Sequence, residues 1–164
     1  MKNKLIPFLI IFASLSCAAQ TIQDKEKEIR LKINAEFNKI DTKCSNEVNA
    51  ITQQNGKTEF WRICNLKNEN RIIKIDFHEK DKYYQEIYFE KNGELRYAKE
   101  TQNYVPKNYF TQMQWNCEFY AEKGELIALI SLGHGKTESD EWEPESIFEM
   151  YKNRLTQLAK IKKE

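Results

Sequence analysis

Tyr83-Tyr84-Gln85-Glu86-Ile87-Tyr88-Phe89-Glu90-Lys91-Asn92-Gly93-Glu94-Leu95-Arg96-Tyr97-Ala98-Lys99 places two runs rich in aromatic and aliphatic residues on either side of Lys91-Asn92-Gly93. Short apolar runs separated by Asn-Gly read as an antiparallel hairpin. A two-residue loop would pair Glu90 with Leu95 and put Phe89 and Leu95 on opposite faces. A three-residue loop pairs Phe89 with Leu95 and Ile87 with Tyr97, which keeps four large apolar groups together, and is preferred for that reason. It gives Gly93 the positive-φ position of a G1 bulge.

The same pattern returns 31 residues later. Tyr88-Phe89-x-x-Asn92-Gly93-Glu94-Leu95 matches Phe119-Tyr120-x-x-Lys123-Gly124-Glu125-Leu126. Working outward, strand patterns cover Glu59 to Leu66, Arg71 to Phe77, Tyr83 to Glu90, Glu94 to Lys99, Gln112 to Ala121 and Glu125 to Gly133. Short turns join most of them, with a longer loop holding Pro106. Six strands in this order form an antiparallel meander.

Helical spacing flanks the strands. Ile22, Ile29, Ile33, Phe37 and Ile40 form one stripe, with Thr21 placed to cap its start. Ile147, Tyr151, Leu155 and Leu158 form another, behind Pro144 at the first helical position. The fold class expected is α+β: a meander of about six strands flanked by an N-terminal and a C-terminal helix, with the helices on one face of the sheet. Asp41 to Gly56 reads as a loop, with room for a short helix around Val48 to Ile51.

The first residues differ in kind from the rest. Lys2 and Lys4 precede an apolar run from Leu5 to Leu15, then Ser16-Cys17-Ala18-Ala19-Gln20. This is the order of a secretory signal peptide, expected over 1–19, with residues 20–164 forming a single domain. The apolar run is shorter than the roughly 20 residues needed to cross a bilayer. A buried N-terminal helix is the competing reading. Cleavage before Gln20 competes with lipid attachment at Cys17, although Ser14 stands where a lipobox prefers a large aliphatic residue. The chain is therefore expected in the periplasm or outside the cell, with a lipid anchor through Cys17 as the alternative to cleavage before Gln20.

The composition suits an aromatic-rich globular domain, with 40% hydrophobic and 12% aromatic residues. Without residues 1–19, which hold two lysines and no acid, 24 basic residues face 25 acidic ones. No basic field is left for nucleic acid. Cys44, Cys64 and Cys117 remain. One disulfide with one thiol left over and three buried thiols are both open.

Motifs for catalysis are weak. Gly133-His134-Gly135-Lys136-Thr137 ends like a phosphate-binding loop, but Ile130 occupies the place of its first glycine. His78 and His134 lack metal-ligand spacing, although His134 could meet Asp140 or Glu141 across its loop. Asp76, Glu79 and Asp81 read as a charged turn, and no Gly-x-Ser-x-Gly elbow is present. No catalytic residue, metal or cofactor is expected.

The aromatics are the most distinctive feature. Alternation places Tyr84, Tyr88, Trp115 and Phe119 on one face, with Glu86 and Arg96 beside them. Ile87, Phe89, Leu95, Tyr97, Tyr120, Leu126, Ala128 and Ile130 take the other. The second, more aliphatic set is the expected helix-covered core. Tyr84, Tyr88, Arg96 and Trp115 then become candidate contacts on a half-exposed face. The alternative is that the helices cover the aromatic face.

At its Tyr-Phe-x-x-Asn-Gly-x-Leu hairpin and its two helices, the chain resembles a group of uncharacterised bacterial exported proteins. It is also loosely similar to MORN-type hairpin proteins, whose glycine spacing it does not keep. The resemblance implies a hairpin scaffold and carries no catalytic residue. The expected function is a non-catalytic exported envelope protein that binds a partner protein or a small apolar ligand on its sheet. An inhibitor or immunity-type protein is the alternative, and a hydrolase is a further one.

Overall fold

The computed structural model describes residues 6–41, 44, 46–66, 70–104 and 114–161, with side chains from residue 23 onward except Gln114. A long helix α1 (Ile6–Asp41) leads into strands β1 (Glu47–Gln54), β2 (Lys57–Asn65), β3 (Arg71–Glu79), β4 (Lys82–Lys91), β5 (Glu94–Tyr104), β6 (Gln114–Glu122) and β7 (Glu125–Gly133). A short 3-10 turn at Lys136–Glu138 precedes helix α2 (Ser146–Ile161). The strands lie in sequence order in one sheet, each antiparallel to the next. The α+β meander is as expected, with seven strands rather than six. The expected loop at Pro106 and the residues Gln112 and Met113 lie outside the described residues.

The added strand is β1, where a loop or short helix was expected. Glu47-Val48-Asn49-Ala50-Ile51-Thr52-Gln53-Gln54 is mostly exposed, so it shows no apolar alternation. Its turn is informative: Asn55 and Gly56 both have positive φ, at 52° and 76°, as a tight two-residue hairpin turn requires. Helix α1 is continuous through Thr21, so that residue does not cap a helix start. No helix among the described residues is long and apolar enough to cross a membrane.

The repeated hairpins turn differently from expectation. Asn92 and Gly93 have φ of 54° and 79°, and Glu90 pairs with Leu95 across a two-residue loop. Arg96 is then an extra residue, so Phe89 pairs with Tyr97 and Ile87 with Lys99. The second hairpin repeats this. Ala121 pairs with Leu126, Ile127 is the extra residue, and Tyr120 pairs with Ala128. The 31-residue repeat thus encodes a tight turn followed by a β-bulge. Leu95 and Leu126 join the aromatic face and not the aliphatic one.

Both faces of the sheet are covered. Trp61, Ile63, Ile73, Ile75, Tyr88, Leu95, Ala98, Trp115, Cys117 and Phe119 pack with Ile147, Tyr151 and Leu158 of α2. Cys64, Ile72, Ile87, Phe89, Tyr97 and Tyr120 pack with Ile33 of α1, flanked by Ile29, Phe37 and Ile40. Neighbours in sequence such as Tyr88 and Phe89 fall in different cores because successive strand residues point to opposite sides. The domain is therefore three layers, one helix on each side of the sheet. The expectation that the helices share one face is corrected. Each face carries enough apolar area to need its own cover.

Candidate functional site

The structure moves the expected aromatic site indoors. Trp115 is 2% exposed and Tyr88 1%, both in the core on the α2 side of the sheet, with Gly135 of the loop after β7 packed on the Trp115 ring. The Trp115 indole N–H donates to Ser131 Oγ at 3.1 Å and to Thr137 Oγ1 at 3.2 Å. Tyr88 packs against Tyr151 with the rings tilted by 36° and their centres 5.8 Å apart. Tyr84 is half-buried and stacks on Phe77 at 4.9 Å. Arg96 stands apart from them, on the bulge, and donates to Glu122 at 2.8 Å. The four residues do not line one open surface. The face assignment of Tyr84, Tyr88, Trp115 and Phe119 is correct, but α2 and the segment between β7 and α2 cover it.

Beneath α2 lies a polar network that periodicity did not reveal. Glu59, Glu86, Glu90 and Glu100 are buried on the aromatic side. Arg154 of α2 donates to both Glu86 oxygens at 2.7 Å and to Glu59 at 2.9 Å. Tyr88 donates to Glu86 at 2.9 Å. Arg71 and Tyr151 both donate to Glu90, and Lys136 reaches Glu100. Desolvation works against the charge on Arg154, yet its two carboxylate partners outweigh it and hold the guanidinium charged. Burial pushes Glu100 above the usual carboxylate range, and Lys136 only partly offsets this. A cleft of about 240 Å³ opens beside these groups, bordered by Lys57, Tyr84, Glu86, Glu100, Trp115 and Lys136. Each of these acids is engaged by a donor, and Glu86 is clamped by a fixed cation. The arrangement locks α2 to the sheet.

The other motifs resolve plainly. Lys136 of the Gly133–Thr137 loop turns inward to Glu100, and its ammonium lies 5.9 Å from the Trp115 ring centre. His134 meets Glu138 and not Asp140 or Glu141. Burial alone would raise the Asp76 carboxyl. Hydrogen bonds from Tyr83 and Gln85, with the Arg62 guanidinium, outweigh it and hold the group below its usual value. Glu79 pairs with Lys57 at 2.8 Å. Among the described residues, no group of three or more histidine, cysteine or acidic side chains is placed to hold a metal.

Of the exposed large apolar side chains among the described residues, Leu31 lies on α1 and Leu132 on β7, while three lie on the first hairpin, β1–β2. Val48, Ile51 and Phe60 are 50%, 68% and 48% exposed. Ile51 and Phe60 are directly paired across β1 and β2, so they form one apolar patch. Two shallow depressions flank β1. One of about 570 Å³ is bordered by Asn49, Ile51, Phe60 and Arg62, and one of about 380 Å³ by Ile51, Gln54, Gln157 and Lys160. As the first strand in the sheet order, β1 has β2 on one side only among the described residues. Its other side presents backbone N–H and C=O groups to an incoming strand.

Cys44 and Cys64 form a disulfide, with Cα atoms 5.9 Å apart, and Cys117 is a buried free thiol. Cys64 lies opposite Glu47 at the start of β1. The bridge therefore ties the chain just after α1 to the edge hairpin and holds that edge in place. Burial pushes the Cys117 thiol up to about 12, which keeps it protonated and inert. No protein-family model, curated protein or solved structure matches the chain.

Proposed function

We propose that this protein is an exported, non-catalytic envelope protein that binds a partner protein through the open β1–β2 edge of its sheet. The observation that carries the reading is the Ile51–Phe60 pair, two large apolar side chains exposed side by side on an unpaired edge. Single exposed apolar residues are ordinary, but an apolar patch on an open edge combines two binding elements: side-chain burial and backbone pairing. Export is supported by the signal-like N-terminus and by the Cys44–Cys64 disulfide, since such bonds persist in oxidising compartments. A non-catalytic role is supported by the engagement of Glu59, Glu86, Glu90 and Glu100 in fixed hydrogen bonds.

Affinity capture from the native envelope tests this reading, comparing the natural chain with the Ile51→Lys/Phe60→Ser variant. A protein retained by the first and lost by the second supports it. Identical capture by both overturns it.

A further inference from the structure

We propose that the partner at this edge is a second copy of the chain, whose β1 pairs antiparallel with the first about a two-fold axis at Ile51. The proposal rests on the reading of the β1–β2 edge as a binding surface, and it names the occupant.

Three observations point to self-pairing. First, β1 is an undefended edge. Its ladder with β2 runs unbroken from Glu47 opposite Cys64 to Gln54 opposite Lys57, with no bulge and no proline. Edge strands are commonly protected by charges, prolines or bulges. The opposite edge strand, β7, carries the Ile127 bulge.

Second, the strand is electrically neutral where it would meet itself. Val48 to Gln54 contains no charged residue. With Ile51 facing its own counterpart, Ala50 meets Thr52, Asn49 meets Gln53 and Val48 meets Gln54. Glu47 falls opposite Asn55, so no like charges confront one another. Directly opposed like charges would destabilise such a pair.

Third, that register makes the apolar surface on the Phe60 side of the sheet continuous while pairing the full length of β1. Residues directly opposite in a ladder point to the same side of the sheet. The row then reads Phe60, Ile51, Ile51 of the second copy, Phe60 of the second copy. A shift of two residues would set Ile51 against Asn49 or Gln53. The paired interface is isologous and closes on itself as a dimer. Pairing of β1 with β7 of another copy would leave edges free and build open fibres. The joined sheet would hold fourteen strands, twice the seven of one chain.

Sedimentation equilibrium on the exported, oxidised chain tests the proposal over a concentration series. The expected result is a monomer–dimer equilibrium that Ile51→Lys weakens at least about tenfold, because the lysine then faces itself. At concentrations where both chains are monomeric the unfolding midpoint should stay unchanged, since Ile51 is 68% exposed in the single chain. Register is tested by oxidation. Ile51→Cys should cross-link to its counterpart, and Gln53→Cys, displaced from its own, should not. A chain that stays monomeric at its highest soluble concentration overturns the proposal. So does a dimer indifferent to Ile51→Lys, or equal cross-linking at both positions. A monomer that captures a different protein through Ile51 overturns self-pairing alone. An Ile51→Lys chain unchanged in both self-association and capture overturns the edge reading as well.

Discussion

Glu86 and Glu100 stand opposite each other across β4 and β5, and each is answered by a cation from a different segment of the chain. Glu86 is held by Arg154 of α2, with both ends of that contact largely out of solvent. Glu100 is held by Lys136 of the loop after β7, whose side chain is 40% exposed. Two carboxylates side by side under a helix would repel each other if left ionised and bare. The cations therefore make α2 and the preceding loop part of the sheet's electrostatics.

The two cations should behave differently on removal. Arg154→Met leaves Glu59 and Glu86 buried without their partner, which should cost roughly 3–5 kcal/mol of unfolding free energy. Urea unfolding measures this. Adding Glu86→Gln to that variant should recover part of the loss, because it removes one of the stranded charges. A variant as stable as the natural chain would show that the network does not hold α2.

Glu100→Gln should have a pH signature. The folded-state pKa of Glu100 is raised above its ordinary value of 4.5, chiefly by burial. As pH rises, the unfolded chain ionises first, so this group lowers stability between 4.5 and the raised folded value. The glutamine variant lacks that loss. Its stability relative to the natural chain should improve as pH rises through this window, then level off. Urea midpoints at a series of pH values check the sign.

Trp115→Ala should cost roughly 3–5 kcal/mol, the range for truncating a large buried side chain. The indole is 2% exposed and packs closely on Gly135, where an added Cβ would collide with the ring. Gly135→Ala should therefore also destabilise, by forcing the loop and the indole apart. Thermal unfolding of both variants checks the pair. A near-normal melting temperature for Trp115→Ala would restore it as a surface residue.

Gly93→Val should cost at least about 1 kcal/mol, because a β-branched residue resists positive φ. Gly93 has φ of 79°, and no atom lies within 4 Å of where a Cβ would stand. The penalty is thus a backbone effect and not a clash. An unchanged urea midpoint would contradict the two-residue turn.

The exported chain should begin at Gln20 and carry one free thiol. N-terminal sequencing checks the first point, and lipid on Cys17 would replace cleavage before Gln20 with the other route. Alkylation should leave the folded, unreduced chain unmodified and add one group after unfolding, at Cys117. Reducing the Cys44–Cys64 bridge, which spans a separation of 20 residues, should cost about 3 kcal/mol.

Alternation along a strand is a local property, set by the two-residue period of the extended chain. The amino-acid sequence by itself therefore determined two helices, six of the seven strands of the meander, and the face of most strand residues, with Leu95 and Leu126 placed on the wrong side. Tyr84, Tyr88, Trp115 and Phe119 lie together, as do Ile87, Phe89, Tyr97 and Tyr120. It was silent on β1, because an exposed edge strand needs no apolar face, and only the Asn55-Gly56 turn marked it. Bulge position was equally illegible, since Leu95 is satisfied on either side once both sides are buried.

Only the tertiary structure decided what covers each face. Helix placement depends on the fit of whole surfaces, and α1 and α2 go to opposite sides because each sheet face holds an apolar area that one helix cannot reach from the other. The same holds for the pairing of Cys44 with Cys64 and of Arg154 with Glu59 and Glu86, partners 20, 95 and 68 residues apart. Spacing cannot read such contacts, because they exist only when distant segments meet. Burial of the aromatic face follows from them, and it leaves Ile51 and Phe60 as a directly paired apolar couple exposed at the sheet edge.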